Sequence, residues 1–110
     1  MAYAPTDFDV AAAIDGSLAR VVVNGELDSS SAPRLIAMIQ DVAGPPVRSI
    51  ELDCNGVTFL DSTGVRALIV TRNEAAHMGV NLVVVHPSSP VTRVIEMTGL
   101  VGLLTGARSS

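Results

Sequence analysis

Asp61-Ser62-Thr63-Gly64 places a hydroxyl between an acid and a small, permissive pair of residues, just where a loop gives way to helical spacing. Two compatible uses of Ser62 follow from that position. As a helix N-cap, its hydroxyl would accept a hydrogen bond from a free backbone N–H. As a phosphoryl acceptor, it would present the new phosphate to the free N–H groups and positive dipole end of the helix. Asp61 would cap the same helix or orient the serine hydroxyl. Asp28 follows Gly25-Glu26-Leu27 and precedes Ser29-Ser30-Ser31. A short acid there serves as a cap or turn residue, or as a surface acid beside Ser62 that contacts a partner or helps place a phosphoryl donor. His86 ends an apolar run before Pro87, and with Ser62 and Asp28 it would make a nucleophile, base and orienter. Gly-x-Ser-x-Gly is absent, however, and so small a domain leaves little room for a substrate cleft. A hydrolase is therefore set aside, and no residue is assigned a catalytic role.

These groups need elements to position them. Phe8, Val10, Ala12 and Ile14 alternate as in a half-buried strand, and Asp15-Gly16 supplies a hairpin turn. The next strand runs from Leu18 to about Asn24, with Gly25-Glu26-Leu27-Asp28 at its carboxyl end. Ser29-Ser30-Ser31 offers N-cap hydroxyls and Pro33 suits a first helical turn. Leu35, Ile36, Ile39, Val42 and Ala43 recur at helical spacing until Gly44 and Pro45-Pro46 stop them. Ile50, Leu52 and Cys54 predict a third strand closed by Asn55-Gly56, with Asp53 at its end. Phe59-Leu60-Asp61-Ser62 leads into a second helix with Val65, Leu68, Ile69 and Ala76 inward, stopping near Gly79. Val80 to His86, nearly all apolar, reads as a central fourth strand. Ser88-Ser89-Pro90 starts a third helix with Val91, Val94 and Ile95 inward, closed by Gly99. Leu100 to Thr105 reads as a last short strand or turn. The order ββαβαβα predicts an α/β fold: a mixed sheet with an N-terminal hairpin followed by alternating helices and parallel strands. In such sheets the loops at the carboxyl ends of strands carry function, so Asp28, Asp61-Ser62 and His86 are expected on one rim. Residues 1–110 are expected to form a single domain, with 106–110 frayed.

Composition narrows the roles further. The net charge is −4, from seven basic and eleven acidic residues. Every basic residue is an arginine, the arginines are scattered, and only Tyr3, Phe8 and Phe59 are aromatic. A nucleic-acid surface needs clustered positive charge and stacking rings, so that partner is not expected. Cys54 is the only cysteine, which excludes an internal disulfide and a cysteine-rich metal site and suits a reducing compartment. Cys54 itself reads as a small apolar core residue. No glycine-rich phosphate loop is present, and no cofactor or metal is expected. The apolar runs are too short for a membrane helix, and Asp7 and Asp9 do not suit a signal peptide. The chain is expected to be cytoplasmic and to have no membrane partner.

Gly25-Glu26-Leu27-Asp28, Ser31-Ala32-Pro33, Phe59-Leu60-Asp61-Ser62-Thr63-Gly64 and Met97-Thr98-Gly99-Leu100 together resemble the STAS domains of bacterial anti-sigma factor antagonists, in order and spacing across nearly the whole chain. The resemblance implies a single STAS-type domain and a partner-switching role. The serine after the aspartate, here Ser62, would be phosphorylated by an anti-sigma factor that is itself an ATP-dependent serine kinase. The unphosphorylated chain would bind that kinase and free the sigma factor. Phosphorylation would release it, and a metal-dependent serine phosphatase would reset it. Asp28 would lie in the partner surface with Asp61, Ser62, Thr63 and Arg66. The family commonly has Leu-Gly after the motif glycine, where this chain has Val65-Arg66. An alternative role on the same fold is a STAS scaffold or interaction module that is never phosphorylated. A response-regulator receiver, with Asp53 as its phosphorylated aspartate, would also need a lysine, and the chain has none.

Overall fold

The computed structural model describes residues 8–100 and Gly102. The order is β1 (Asp9–Asp15), β2 (Leu18–Leu27), α1 (Ala32–Val42), β3 (Ser49–Leu60), α2 (Ser62–His77), β4 (Asn81–Val85) and α3 (Ser89–Thr98). The ββαβαβα reading therefore holds. β1 and β2 form the antiparallel hairpin, turning through Gly16 at φ 63°. β2, β3 and β4 run parallel, joined through α1 and α2, as strand–helix–strand units require.

The core is one face of this sheet under the helices. Ala19 pairs with Ile50 and Ile50 with Leu82; Val21 pairs with Leu52 and Leu52 with Val84. Each of these rows is buried, and they join Leu35, Ile39, Leu68, Ala75, Val91 and Ile95 in one cluster. Burying each larger side chain contributes roughly 1.5–3 kcal/mol relative to exposure. The opposite face carries Arg20 beside Glu51, its cross-strand neighbour, with Nε donating to Oε1 at 3.0 Å. Among the described residues no helix is long and apolar enough to cross a membrane.

Several sequence expectations change. The sheet order is β1-β2-β3-β4, so β4 is an edge strand, not a central one. Its apolar run arises because Leu82 and Val84 enter the core while Val83 and Val85 are half-buried on the other face. β3 does not end at Asn55-Gly56. It runs on to Leu60, taking in Phe59-Leu60, which the sequence reading had placed as the lead into α2. Two register shifts against β2 accommodate the extra length: Val22 pairs with Asp53 but Asn24 with Gly56, and Gly25 with Val57 but Glu26 with Phe59. A β-bulge of this kind takes up an extra residue without ending the strand. Gly56 serves close packing, since a Cβ there would collide with the Asn24 side chain. Phe8, just before β1, and Val10 within it pack on the core, but Ala12 and Ile14 are exposed. In α2 the buried stripe is Gly64, Ala67, Leu68, Thr71 and Ala75; Val65 and Ile69 are half-buried and Ala76 is exposed. Gly99 closes α3 at φ 75° as expected. Leu100 has no regular structure and Gly102 is helical, while the rest of the expected last strand and the 106–110 tail lie outside the described residues.

Cys54 is fully buried on the core face of β3, and its burial, with a smaller push from the Asp53 carboxylate, raises the thiol to about 12. At pH 8 only about 10⁻⁴ of it is thiolate, the reactive form. Native protein should therefore resist thiol-labelling reagents at that pH, with labelling appearing only along the unfolding transition. Rapid stoichiometric labelling of the folded chain would contradict the placement.

Candidate functional site

β2 and β3 finish side by side, with Leu27 paired to Leu60. Asp28 and Asp61 are the next residues on each strand, so the two acids sit on one rim by register alone.

Asp28 is held as a turn residue. Its Oδ1 accepts from the Ser30 hydroxyl at 2.7 Å, the Ser30 backbone N–H at 3.0 Å and the Ser31 N–H at 3.3 Å. Chiefly the Ser30 hydroxyl, and then these N–H groups against a counteracting desolvation, hold the carboxyl below its ordinary value. Ser31 occupies the N-cap position of α1 but does not cap with its side chain. Its buried hydroxyl donates to the Glu26 carbonyl at 2.7 Å and accepts from the Asp28 N–H at 2.9 Å. It ties the end of β2 to the start of α1 and so holds the Asp28 turn from beneath.

The other half of the rim corrects the expectation for Ser62. The N-cap of α2 is Asp61, whose Oδ1 accepts from the Gly64 N–H at 2.9 Å while its carbonyl accepts from the Val65 N–H at 2.9 Å. Ser62 is the first helical residue, and it is exposed. An aspartate is as good a cap as a serine, so the serine hydroxyl is left over. Ser62 and Thr63 line a shallow depression of about 370 Å³ with Val65, Arg66 and Ile69. The exposed Arg66 stands beside half-buried Val65 and Ile69.

Gly64 sets the distance between the two halves. A Cβ at this position would run into the Leu27 carbonyl oxygen and into Leu60 Cδ1. With no side chain, the first turn of α2 rests directly on the backbone of β2 one residue before Asp28. This is the close-approach use of glycine, in ordinary helical backbone.

His86 is not on this rim. It follows the short β4, which ends beside Asp53, while β3 continues for seven more residues to Leu60. His86 adopts φ 50°, a left-handed conformation that few residues other than glycine take. Its Nδ1 lies 3.4 Å from Asp53 Oδ2. Asp53 is thus in mid-strand rather than at a strand end, and its Oδ1 accepts from the Asn55 N–H at 2.9 Å. The structure brings Asp28, Asp61, Ser62, Thr63 and Arg66 to one end and leaves His86 paired elsewhere, so no Ser–His–Asp constellation forms. Among the described residues no cluster of three or more histidine, cysteine or acidic side chains could hold a metal ion.

Residues 9–109 match the STAS domain. The chain belongs to the STAS domain family. It is 29% identical over 84 residues to the anti-sigma-B factor antagonist of Staphylococcus aureus, a match covering 76% of this chain and 78% of that one. An anti-sigma factor antagonist from Mycobacterium paratuberculosis has the same fold at a TM-score of 0.72 and 27% identity, over 92% of this chain and 86% of that one. The unphosphorylated form of the anti-sigma factor antagonist SpoIIAA superposes at a TM-score of 0.72 over 89% of this chain and 85% of its own, and at 21% identity it speaks for the fold alone.

Two features of this STAS rim escaped the sequence reading. Phe59 is 46% exposed at the end of β3, opposite Glu26, an unusual place for a large ring. The backbone contact under Gly64 was signalled only by the glycine itself. Gly64→Ala must displace the start of α2 or the end of β2, and overpacking of this kind costs about 1–3 kcal/mol. Denaturant unfolding should show that loss, whereas Gly79→Ala, where nothing lies within 4 Å, should meet only the strain of its positive φ. A Gly64→Ala chain as stable as the wild type would contradict the packing.

Proposed function

We propose that this STAS domain is an anti-sigma factor antagonist controlled by phosphorylation of Ser62. Unphosphorylated, it binds an anti-sigma factor that is a serine kinase, using the rim of Asp28, Asp61, Ser62, Thr63 and Arg66, and so frees a sigma factor. Phosphorylation of Ser62 releases it, and a metal-dependent serine phosphatase restores the binding form. The named relatives support the regulatory role. The observation that carries the mechanism is the exposed Ser62 hydroxyl, placed beside two acids and excused from capping by Asp61.

The electrostatics favour a switch. The rim already holds Asp28 and Asp61 and has a single arginine in its depression. A phosphate adds about −1.5 to −2 charge at pH 7 in the middle of the surface a partner must cover. A loss of only ~1.4 kcal/mol in binding is tenfold in affinity, so one such group suffices to release a partner. A buried modification site would first have to unfold; an exposed first-turn serine is accessible to a kinase in the folded chain.

Incubation with candidate anti-sigma kinases and ATP, followed by mass spectrometry, tests the assignment. Phosphate is expected on Ser62. Ser62→Ala should bind the kinase and stay unmodified, and Ser62→Asp should bind at least tenfold more weakly. Phosphate on Thr63 alone would overturn the assignment.

Asp28 separates a partner surface from a mere turn. Asp28→Asn keeps an oxygen acceptor for the Ser30 and Ser31 N–H groups and removes only the charge. Kinase affinity should fall several-fold while the melting temperature moves little. The carboxyl is held below its ordinary value, so any stability it adds is present above the ordinary carboxylate pKa and fades as pH drops through the lowered one. A small melting difference between wild type and Asp28→Asn at pH 7 should therefore vanish in acid. A stability loss with intact affinity would reduce Asp28 to a turn residue.

A further inference from the structure

We propose that Arg66 is the counter-ion of phosphorylated Ser62, pairing with the phosphate within the chain's own helix and limiting how strongly the modification repels a partner. The inference rests on Ser62 being the phosphoryl acceptor and concerns what happens next.

Ser62 and Arg66 are four residues apart in α2, and both are exposed. Residues at that spacing have Cβ atoms about 5–6 Å apart on one helix face, and here both line the same depression. Arg66 is the only cation among the residues lining it, and among the described residues it makes no ion pair or side-chain hydrogen bond. Its guanidinium is therefore uncommitted. The remaining lining is Thr63, Val65 and Ile69, which offers no competing charge. The charged groups toward this end from the adjoining elements are Glu26 on β2, Asp28 just after it, Asp61 at the β3–α2 junction and Arg34 in the first turn of α1, whose guanidinium donates to the Phe8 carbonyl at 3.0 Å and lies over the Phe8 ring. Glu26 and Asp28 carry no ion pair among the described residues, so Arg66 has no fixed acidic partner to give up.

When ATP donates its γ-phosphoryl group, the Ser62 Oγ–P bond forms and the bond from the γ-phosphorus to the β–γ bridging oxygen breaks. ADP leaves with that electron pair and the hydroxyl proton passes to solvent. The product is a dianion at the first position of α2. Of the N–H groups at the start of α2 that have no carbonyl partner within the helix, Asp61 engages that of Gly64 through its side chain, leaving those of Ser62 and Thr63. The helix end is thus partly spent, and Asp61 adds its own negative charge. The arginine fork, with its donors matched to phosphate oxygens, is the cationic side chain in this depression that can respond alongside those N–H groups. The pair is exposed, so solvent and salt keep it weak.

The test reads the phosphate directly and does not depend on any kinase. Phosphoserine is incorporated at position 62 during translation, and the phosphate is titrated by phosphorus NMR in the wild type, Arg66→Gln and Arg48→Gln. A cation beside the phosphate favours its dianion, so the second titration midpoint should be lowest in the wild type. It should rise by a few tenths of a pH unit in Arg66→Gln, as expected for a screened surface pair. Arg48, before β3 at the other end of the sheet, removes the same charge remotely and should leave the midpoint unchanged. Molar salt should shrink the difference between the wild-type and Arg66→Gln midpoints. Equal midpoints in the wild type and Arg66→Gln, or an equal rise in Arg48→Gln, would overturn the pairing. Thermal melts of the three chains check the fold, and Arg66 is exposed, so Arg66→Gln should melt with the wild type. Failure of anti-sigma kinases to modify or bind the unmodified chain would instead remove the parent reading, and the titration would still report on the pair.

Discussion

The contact between α2 and the backbone of β2 at Gly64 is the constraint on which the candidate functional end of this domain depends. Two strand ends and a helix start must meet where no side chain can stand between them. Parallel pairing brings Leu27 and Leu60 level, and the bare first turn of α2 then closes on the Leu27 carbonyl. The acids and hydroxyls at this end all lie within three residues of that contact. Asp28 leaves β2 just after it, Asp61 caps the helix just before it, and Ser62 and Thr63 are carried on the turn that makes it. The long β3 serves the same end. Without its two register shifts the strand would not stay paired with β2 as far as Leu60, and Asp61 would not arrive beside Asp28.

Much of this was legible in the sequence because local chemistry decided it. The hairpin at Asp15-Gly16, the stop of α1 at Gly44 and the left-handed close of α3 at Gly99 each require a residue type that few others can replace. The rim pairing of Asp28 with Asp61-Ser62 followed from parallel strands joined through a helix. The errors arose where a local signal had a non-local cause. Asn55-Gly56 has the composition of a turn, yet Gly56 is small because the Asn24 side chain from the neighbouring strand fills the space beside it. The apolar run of β4 suggested a central strand, but a short edge strand with one packed face and one half-buried face shows the same pattern. His86 was expected on the rim because its strand was assumed to end level with β3. β3 outruns β4, and that difference in length leaves His86 beside Asp53.

The division of labour between Asp61 and Ser62 shows how the rim keeps a reactive group available without weakening the helix that carries it. A helix start needs an acceptor for its free N–H groups, and a serine at the N-cap would supply one by committing its hydroxyl. Here the aspartate takes that task through Oδ1 on the Gly64 N–H. A carboxylate is also the better cap electrostatically, since it lies at the positive end of the helix dipole. The serine, shifted one position into the helix, keeps its backbone in the helical turn and its side chain exposed. Its hydroxyl can then be changed without removing the cap, so a modification at Ser62 alters the charge and shape of the rim while leaving the Asp61 cap and the Gly64 contact in place. If Ser62 is the phosphoryl acceptor proposed above, that separation of the structural acceptor from the chemical one would let a small domain switch its surface while its fold stays the same.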